Sequence, residues 1–408
     1  MHKIYIKIIL FIFFAVGQNL FTSEIYLEPS LNAQEELQEA LIVVKEGDTL
    51  KLGKGIYYFE DGLSLDVDNV TIEGAGMDDT ILNFSKQASG AQGLLVTSNQ
   101  VTLKEFSVED AKGDAIKVIG AKGIYMINVK AEWTGGPKSS NGAYGFYPVE
   151  SSDVLIDGCV AIGASDAGIY VGQSSNIIVR NSIAQYNVAG IEIENSFYAD
   201  VYDNLASHNT AGILVFDLPD LPQQGGHHVR VFRNKSVDND TDNFAPEGNI
   251  VGEVPRGTGI IIQANSDIEV FDNDIGGNGT VNLAIVTYGY DTEDENYYPH
   301  PRSVQVYDNR FGKSGFDPDL ETGELAAILF GLSGGEMPDI FWDGVLPLSQ
   351  MIFGQPDDEK IVLGDNGNAS FLTISPIKYM IGLDPVNTDY DSFRGEIKPL
   401  KAVSIEGI

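Results

Sequence analysis

The stretch 167–215 contains one short pattern three times: Ala-Gly-Ile-Tyr-Val at 167–171, Ala-Gly-Ile-Glu-Ile at 189–193 and Ala-Gly-Ile-Leu-Val at 211–215. The glycines stand at positions 168, 190 and 212, so the pattern returns every 22 residues. Each copy alternates with the period of a β-strand, and turn residues separate the copies. A repeat of this length is typical of an all-β solenoid, in which each coil rests on its neighbours.

Similar runs recur on both sides of this stretch. Their small first residues are Gly62, Gly93, Ala115, Gly145, Gly259 and Asn282. In each run we expect the residue after the small one, and the residue two positions further on, to point inward. We predict the repeating body over 61–312 and an N-terminal cap with the first strands over 24–60. The last irregular coils, a C-terminal cap and a tail then occupy 313–408.

The composition is strongly acidic. The 408 residues include 59 Asp and Glu against 25 Lys and Arg, a formal net charge of −34. Nucleic acids and anionic lipid surfaces need a basic footprint, so neither is an expected partner. The composition is typical of a soluble, self-repelling secreted protein, and divalent-cation binding by clustered carboxylates is the alternative. The single cysteine, Cys159, excludes an intrachain disulfide, and its apolar surroundings predict a buried thiol.

Residues 1–23 have the pattern of a secretory signal peptide. Lys3 and Lys7 precede an apolar run over 8–16, and small and polar residues follow. The apolar run is too short for a membrane span. We therefore predict a secreted or periplasmic protein with no membrane insertion after removal of the signal.

Residues 32–44 have the periodicity of an amphipathic helix. Asn32 is a candidate N-cap, and Glu35 stands three residues further on, as in a capping box. The apolar residues on one predicted face are Leu37, Ala40, Leu41 and Val44. A helix at this position would cover the open edges of the first coil, so we assign it as the N-terminal cap.

A column of asparagines is predicted at the corner that follows the second strand of each coil. Its members are Asn128, Asn181, Asn204, Asn234, Asn273 and Asn309. Asparagine tolerates the left-handed backbone of a corner, and stacked side-chain amides bond to one another along the solenoid axis. We assign this column a structural role.

The regular repeat fades towards the C-terminus. We expect 325–332 to form one more coil, and 360–363 with 369–374 to form the last one. The aromatic segment 334–357 is predicted to be a loop-like cap. The final stretch, 385–408, is predicted to be an extended tail packed along the body.

Three insertions interrupt the repeat, at 217–226, 238–257 and 288–302. The first two flank the strands that begin near Gly212 and Gly259. Long loops in one region of a solenoid usually mark the place where it binds something. We therefore expect a ligand near these loops.

Strand alternation also predicts which side chains point outward. Column 1 consists of Lys117, Tyr147, Tyr170, Glu192, Leu214 and Ile261. Column 2 consists of Ile119, Val149, Gly172, Glu194, Phe216 and Gln263. Successive strands stack about 4.8 Å apart, so these residues are predicted to be neighbours although they are distant in the chain.

These coils resemble right-handed parallel β-helix proteins of the carbohydrate-binding and sugar-hydrolase type, over roughly 31–311. That group includes alginate C5-epimerases, pectate lyases and periplasmic copper-site maturation proteins. Tyr-Gly-Phe-Tyr-Pro-Val-Glu at 144–150 resembles the epimerases' Tyr-Gly-Phe-Asp-Pro-His-Glu strand. The resemblance implies a right-handed parallel β-helix and places the family's catalytic tyrosine on Tyr144. The family's Asp and His fall on Tyr147 and Val149, so the roles of those two residues are lost.

A second resemblance is to an uncharacterised bacterial family of secreted β-helix repeat proteins. The matching segments are 165–173, 189–195, 212–219 and 243–249. This resemblance implies a secreted bacterial protein and carries no activity with it.

The first functional hypothesis is binding without catalysis. An extended polysaccharide or a cell-envelope component would lie on the outward face, in contact with tyrosine rings and carboxylates. The proposed ligand-binding residues are Tyr147, Tyr170, Glu194, Phe216 and Arg180. No cofactor is required.

The alternative hypothesis is a lyase or C5-epimerase acting on an acidic glycan. Such an enzyme neutralises a uronate carboxylate and removes the neighbouring proton. Lys117 or Arg180 would neutralise the carboxylate, Tyr144 or Tyr170 would serve as acid or base, and Glu192 would assist. The catalytic candidates are therefore Tyr144, Lys117 and Glu192.

Two further acidic patterns have competing interpretations. Glu192 and Glu194 lie about 6.5–7 Å apart along one strand, as in a hydrolase pair, but we interpret them as a solvated surface. Asp238, Asp240 and Asp242 have the alternate spacing of a calcium loop without the glycine and final glutamate of an EF-hand. Ca²⁺ is the metal that this spacing suggests, and a solvated acidic loop is the alternative that we prefer.

Overall fold

Three ladders of parallel strands run along the described chain. The structure is a computed structural model that describes residues 23–322 and 324–408. Ladders 1 and 2 belong to one sheet because two long strands, Val101–Glu109 and Lys122–Glu132, pass through both. Ladder 3 forms the second sheet, which Val386–Asn387 joins in the antiparallel direction.

The strands of each ladder follow one another in chain order. Besides the two long strands, ladder 1 contains Glu24–Leu27, Thr49–Leu52, Thr71–Glu73, Ser152–Asp157, Ser175–Arg180, Phe197–Tyr202, His227–Phe232, Ser266–Phe271, Arg302–Tyr307 and Val362–Leu363. Ladder 2 contains Gly55–Tyr58, Thr80–Asn83, Val160–Ile162, Ile183–Gln185, Leu205–Ser207, Lys235–Val237, Asp274–Gly276 and Arg310–Phe311. Ladder 3 contains Leu63–Leu65, Gln92–Val96, Asp114–Ile119, Tyr144–Val149, Ala167–Gly172, Ala189–Glu194, Ala211–Phe216, Thr258–Gln263, Val281–Val286, Ile340–Trp342 and Phe371–Ile374. The described helices are Ala33–Val43, Glu324–Leu332, Leu348–Phe353 and Pro376–Met380, with 3-10 turns at Ile250–Glu253 and Tyr390–Phe393.

Each coil contributes one strand to each ladder. The strand Ala167–Gly172 of ladder 3 leads to Ser175–Arg180 in ladder 1 and then to Ile183–Gln185 in ladder 2. The next coil starts at Ala189, which pairs in parallel register with Ala211. The predicted 22-residue coil is therefore confirmed.

The recurring glycine of the repeat is explained by the approach of the next coil. A Cβ atom at Gly190 would lie 2.5 Å from the carbonyl oxygen of Gly212. A Cβ atom at Gly212 would in turn lie 2.6 Å from the carbonyl oxygen of Gly259. Contacts this short do not occur for real side chains, so the stack itself requires glycine at this position.

The interior of the coil is filled with aliphatic side chains. Ile169, Ile191 and Ile213 stack on one another in ladder 3 and are fully buried. Tyr170 points to the opposite face, as the predicted strand alternation requires. The predicted inward and outward faces of this sheet are therefore confirmed.

A buried asparagine ladder runs along one corner. From Asn204 through Asn234, Asn273 and Asn309 to Asn366, each side-chain amide donates to the Oδ1 atom of the next, over 2.9 to 3.1 Å. The backbone N–H of each of the first four donates to the same oxygen. The predicted ladder is therefore confirmed for four of its members, and Asn366 extends it.

Asn128 and Asn181 are not part of this ladder, contrary to the prediction. Both residues have a left-handed backbone, with φ of 51° and 52°. Their side chains donate to the carboxylates of Glu105 and Asp157 instead. The left-handed residue occupies the outside of the corner, so a side chain at that position cannot reach the buried amide row.

A second asparagine ladder was not predicted. Its members are Asn187, Asn209, Asn239 and Asn278, joined by amide hydrogen bonds of 3.0 to 3.2 Å. It follows the strands of ladder 2 and precedes those of ladder 3. Two of the three corners of the coil are thus held by buried amides that bond along the axis.

The N-terminal helix covers the first coil. The helix spans Ala33–Val43, and its buried face includes Leu37 and Leu41. Gln38 exchanges two hydrogen bonds with the backbone of Ser64, so it satisfies the open edge of the first ladder 3 strand. The capping box predicted for Asn32 does not form, since the Asn32 side chain makes no cap hydrogen bond.

The C-terminal region differs from the sequence prediction in two places. Residues 324–332 form a helix instead of a coil, because the run begins with Glu-Leu-Ala-Ala, which are strong helix formers, and contains a single β-branched residue. The segment 334–357 contains the strand Ile340–Trp342, which continues ladder 3. The last predicted coil is present as Val362–Leu363 and Phe371–Ile374.

The end of the predicted tail, from Lys398 onward, lies across the outward face of ladder 1, whereas its start forms the strand Val386–Asn387 and the turn Tyr390–Phe393. The backbone N–H groups of Leu400 and Val403 donate to the carboxylates of Glu269 and Asp200, at 2.9 and 3.1 Å. Ile405 is buried against the outward face further towards the N-terminal end. The tail therefore runs back along the solenoid, with side chains of successive coils holding its backbone.

The predicted signal peptide, 1–23, lies outside the described residues except for its last residue. Ser23 donates through its backbone N–H and its hydroxyl to Asp48. Within 23–322 and 324–408, no helix is long and apolar enough to span a membrane. The signal peptide stays a prediction.

The asparagine ladder gives a test of the stack. We expect Asn234→Ala to lower the free energy of unfolding by about 1–3 kcal/mol, because it leaves the buried backbone N–H of Asn204 without its partner and removes the donor that Asn234 gives to Val201 and Asn273. Urea denaturation measures this difference. The exposed Asn368→Ala is the matched control and should change stability by less than about 0.5 kcal/mol. Equal effects of the two substitutions would contradict a stabilising role for the ladder.

Candidate functional site

The two outward columns have the predicted register on ladder 3. In column 1, Tyr147 pairs with Lys117, and Tyr170 pairs with Glu192. In column 2, Glu194 pairs with Phe216. Backbone pairing of the coils thus brings together residues that lie far apart in the chain.

The middle of this face is buried, contrary to the interpretation of Glu192 and Glu194 as a solvated surface. Relative exposure is 4% for Tyr170, 4% for Glu192 and 9% for Glu194. The insertion 238–257, which we name the cover segment, packs over the face together with the helix Glu324–Leu332. The apolar residues of the face and its cover include Tyr170, Leu214, Phe216, Val251, Val254, Ile261 and Leu329, with Phe244 and Ala245 at the edge.

The face stays partly open towards its N-terminal end. Lys117, Tyr144 and Tyr147 are half-buried. The ring centroid of Tyr144 lies 4.4 Å from that of Tyr147 and 4.7 Å from that of Tyr170. The Nζ atom of Lys117 lies 4.5 Å from the centroid of the Tyr147 ring. Three phenol rings and one ammonium group therefore form a compact cluster at the border between water and the covered region.

Two carboxyl groups bond to these phenols. The Tyr170 hydroxyl donates to Glu194 Oε1 at 2.7 Å, and the Tyr144 hydroxyl donates to Asp166 Oδ2 at 3.3 Å. Asn249, from the cover segment, donates its amide to the same Asp166 oxygen at 3.2 Å. Asp166 therefore links the tyrosine cluster to the cover.

Asp166 was not among the residues predicted from the sequence. It lies in the corner immediately before the strand Ala167–Gly172, where strand alternation gives no direction. Its neighbour Ala167 pairs with Tyr144, so the acid lies beside the first residue of the adjacent strand, which carries this tyrosine. The Ser-Asp preceding the Ala-Gly-Ile pattern was the available signal.

Burial shifts the titration of the carboxyl groups. Burial raises the pKa of Asp166 to about 7 and that of Glu194 to about 7, although hydrogen bonds from tyrosines oppose the shift. Burial, followed by the neighbouring Glu194 and Asp166, raises the pKa of Glu192 well above its ordinary value. All three carboxyl groups are therefore harder to ionise than a carboxyl group in water.

The phenols are held neutral by the same environment. Burial is the largest cause that raises the pKa of Tyr147 to about 12, and the charge of Asp114 adds to it. Burial also raises the pKa of Tyr144 and of Tyr170, with the neighbouring carboxylates contributing. All three tyrosines are therefore hydrogen-bond donors at neutral pH.

Lys117 is the cation in contact with this cluster. Its Nζ atom lies 3.5 Å from the Asp114 carboxylate, so part of its charge is already matched. Burial raises the pKa of Asp114 even though Lys117 lowers it. The cluster as a whole therefore has more carboxyl groups than cations.

Two residues predicted to bind ligand do not lie at the open end. Arg180 lies on ladder 1, where its guanidinium group contacts Asp157 at 2.8 Å and Tyr202 at 3.1 Å. It therefore cannot act with Tyr170, which is on ladder 3. Phe216 is in the predicted column, but it is 4% exposed because the cover lies on it.

The three aspartates of the predicted calcium loop have separate surroundings. Asp240 contacts His208 at 3.0 Å, Asp242 contacts Arg256 at 3.3 Å, and Asp238 is an exposed corner residue. Among the residues that the structure describes, no group of three or more His, Cys, Asp or Glu side chains is placed to hold a metal ion. The structure does not bring these three carboxylates together.

The other two insertions pack against each other. Asp294 in the insertion 288–302 accepts hydrogen bonds from the side chain of Gln224 and, at 3.2 Å, from the backbone of Asp220. Tyr297 donates its hydroxyl to the carbonyl oxygen of Asp217. The cover segment contacts the tyrosine cluster through the hydrogen bond from Asn249 to Asp166.

Similarity to known proteins agrees with this architecture. Residues 54–220 match the family model described as "Right handed beta helix region". The A-module of a mannuronan C-5 epimerase from Azotobacter vinelandii is 16% identical, with 82% of this chain and 90% of that chain covered and a TM-score of 0.52. No curated protein matches the sequence significantly.

Two further solved structures match most of the chain with lower TM-scores. An alginate lyase from a Paenibacillus species is 14% identical, covers 86% of this chain and 97% of its own, and has a TM-score of 0.38. The Dettilon tailspike protein is 10% identical, with 86% and 74% covered and a TM-score of 0.43. At these identities the likeness concerns the fold alone. The chain is a right-handed parallel β-helix.

The raised carboxyl pKa values predict a pH-dependent stability. A carboxyl group whose pKa is higher in the folded state favours folding when protonated, so its contribution is lost as pH rises through the folded value. For Glu194 this window runs from about 4.5 to about 7. In the wild type, the free energy of unfolding should fall as pH rises through this window. We expect Glu194→Gln to reduce the slope of that fall by up to about 1.4 kcal/mol per pH unit.

Urea denaturation from pH 5 to pH 8 measures this slope. Glutamine keeps the hydrogen bond from Tyr170, so the fold should be retained. The exposed Glu247→Gln in the cover segment is the control and should leave the slope unchanged. Parallel curves for wild type and Glu194→Gln would contradict the assignment of a buried, protonated acid.

Proposed function

We propose that this protein binds an extended carbohydrate chain at the open end of the ladder 3 face. The observation that carries the proposal is the contact cluster of Tyr144, Tyr147 and Tyr170 beside hydrogen-bonding carboxyl groups. Phenol rings offer flat apolar surface to the C–H faces of a sugar, and hydroxyl and carboxyl groups bond to its hydroxyls. A partly covered cleft that combines the two is suited to a polar ligand with apolar faces.

The shape of the face supports an extended ligand. Tyr147 and Lys117 stand on neighbouring strands, so ligand contacts repeat along the axis at about 4.8 Å. A parallel stack of coils offers such contacts in a line, which a polymer can follow from coil to coil. The epimerase module with a similar fold is named for mannuronan, a polysaccharide, and this supports testing glycans first. A glycan of the cell envelope would meet the same residues.

Loss of the most accessible ring should weaken binding. We expect Tyr147→Ala to reduce glycan affinity by about tenfold, because it removes stacking surface and the contact with Lys117. A glycan array with soluble binding curves measures the effect. Tyr379→Ala, at an exposed tyrosine far along the chain, is the matched control. No retention of any glycan, or equal retention by both variants, would overturn the proposal.

The second candidate function is catalysis on a glycan. The observation that favours it is the pairing of Asp166 with Tyr144 and of Glu194 with Tyr170, since both acids have a pKa of about 7. Groups that titrate near the working pH are suited to general acid–base chemistry. The absence of the epimerase Asp and His, and the cover over the centre of the face, favour binding alone.

An absorbance assay separates the two candidates. If the protein binds without cleaving, incubation with polymannuronate, pectin or heparin should produce no rise in ultraviolet absorbance from unsaturated ends. A rise that Tyr144→Phe abolishes would establish the lyase instead, because the phenylalanine keeps the ring and removes the proton-carrying oxygen. Nuclear magnetic resonance of the recovered polymer detects epimerisation in the same samples.

A further inference from the structure

The tyrosine cluster borders an unusual excess of buried acid. The cluster is surrounded by titratable groups from successive coils. In chain order they are Asp114, Lys117, Tyr144, Tyr147, Asp166, Tyr170, Glu192, Glu194 and Asp217. Lys117 is the cation of this set, and it already contacts Asp114. Asp166, Glu192 and Glu194 are therefore buried together without a cation of their own.

Glu192 is the least satisfied of these acids. It is 4% exposed, and its Oε2 atom has no hydrogen-bond partner among the described residues. A buried polar atom without a partner costs roughly 1–3 kcal/mol, and proteins rarely keep one without a use for it. Asp166 and Glu194 lie close enough to Glu192 to raise its pKa. The unpartnered oxygen therefore belongs to a group of three buried acids that repel one another whenever they ionise.

Resting on the proposed function, we propose that the carbohydrate taken by this site carries a protonated amine. An ammonium group offers three donors, which suits an unpartnered carboxyl oxygen with two further carboxyl groups beside it. Its charge also removes the mutual repulsion that burial forces on these acids. A neutral sugar also offers hydrogen-bond donors, but it has no positive charge with which to reduce the repulsion among the three acids.

A uronate is the least suitable ligand for this site. Its carboxylate would add a negative charge to Asp166, Glu192 and Glu194, and the single Lys117 is already shared with Asp114. The whole chain carries a net charge of −34, which repels a polyanion before contact. A site with more carboxyl groups than cations is therefore unsuited to an acidic glycan.

The open end gives the amine a route to the acids. Tyr144 and Tyr147 are half-buried, and the Tyr144 hydroxyl already bonds to Asp166. Asn249 of the cover segment bonds to the same carboxyl oxygen. An amine that replaces Asn249 at Asp166 would free the cover segment at this contact and open the way to Glu192.

Three oligosaccharides that differ in charge test the inference. Isothermal titration at pH 6 compares a glucosamine oligomer, its N-acetylated counterpart with the same backbone, and an oligomannuronate. We expect the amine to bind about tenfold or more tightly than the acetylated form, and the uronate to bind most weakly. Repeating the titration in two buffers of different ionisation enthalpy should show net proton release with the amine, since its charge lowers the carboxyl pKa values.

Two variants locate the preference. Glu192→Gln keeps the shape of the side chain and removes a carboxyl group whose charged form burial disfavours, so the fold should be retained. The preference for the amine should fall to about twofold or less. Glu194→Gln should weaken the preference as well. The exposed Glu247→Gln is the control for general attraction of a cation to an acidic protein and should leave the preference intact.

The outcomes distinguish the inference from the proposed function. Binding of the acetylated oligomer as tightly as the amine overturns the inference and leaves carbohydrate binding standing. Tightest binding of the oligomannuronate also overturns it. If Glu192→Gln and wild type prefer the amine equally, the preference comes from the net negative charge of the protein. That result would overturn the assignment of the amine to Glu192. Absence of binding by all three, together with an empty glycan array, removes the proposed function itself.

Discussion

Parallel hydrogen bonding between successive coils is the constraint on which the rest of this structure depends. It holds Ala167, Ala189 and Ala211 in register. This register determines which residue types fit at the other positions of the coil. Glycine is required where the next coil's carbonyl approaches, and asparagine where two corners share buried amides. Because each coil rests on its neighbours, an error in one position would shift every column that follows.

The outward surfaces of two sheets are covered by segments of the same chain. Ladder 3 is covered by an insertion and a helix, and apolar side chains make most of the contact. Ladder 1 is crossed by the tail, whose backbone is held by carboxylates such as Asp200 and Glu269. A sheet whose outer face is covered in this way has two cores, one inside the coil and one outside it. Polar residues of the second core are then subject to the same desolvation as those of the first.

This second core gives the candidate site its chemistry. Glu192 and Glu194 would be ordinary surface carboxylates on an uncovered sheet. Under the cover they are desolvated beside Asp166, which raises the pKa of both and disfavours their charged forms. Keeping three acids together without a matching cation lowers stability as they ionise. A ligand that supplies donors or positive charge would offset this cost, which is why the acids and the tyrosines are best understood as one site.

The repeat, the all-β fold, the register of both outward columns and the inward faces of the strands can be predicted from the amino-acid pattern. These features follow from local periodicity and from glycine at fixed spacing, which a linear pattern records. Tertiary structure alone decided that Glu192 is buried, that Asp166 meets Tyr144, that Arg180 lies on another sheet, and that 324–332 is a helix. The physical reason is that alternation says which way a side chain points, whereas its exposure and its pKa depend on what a distant insertion places over it.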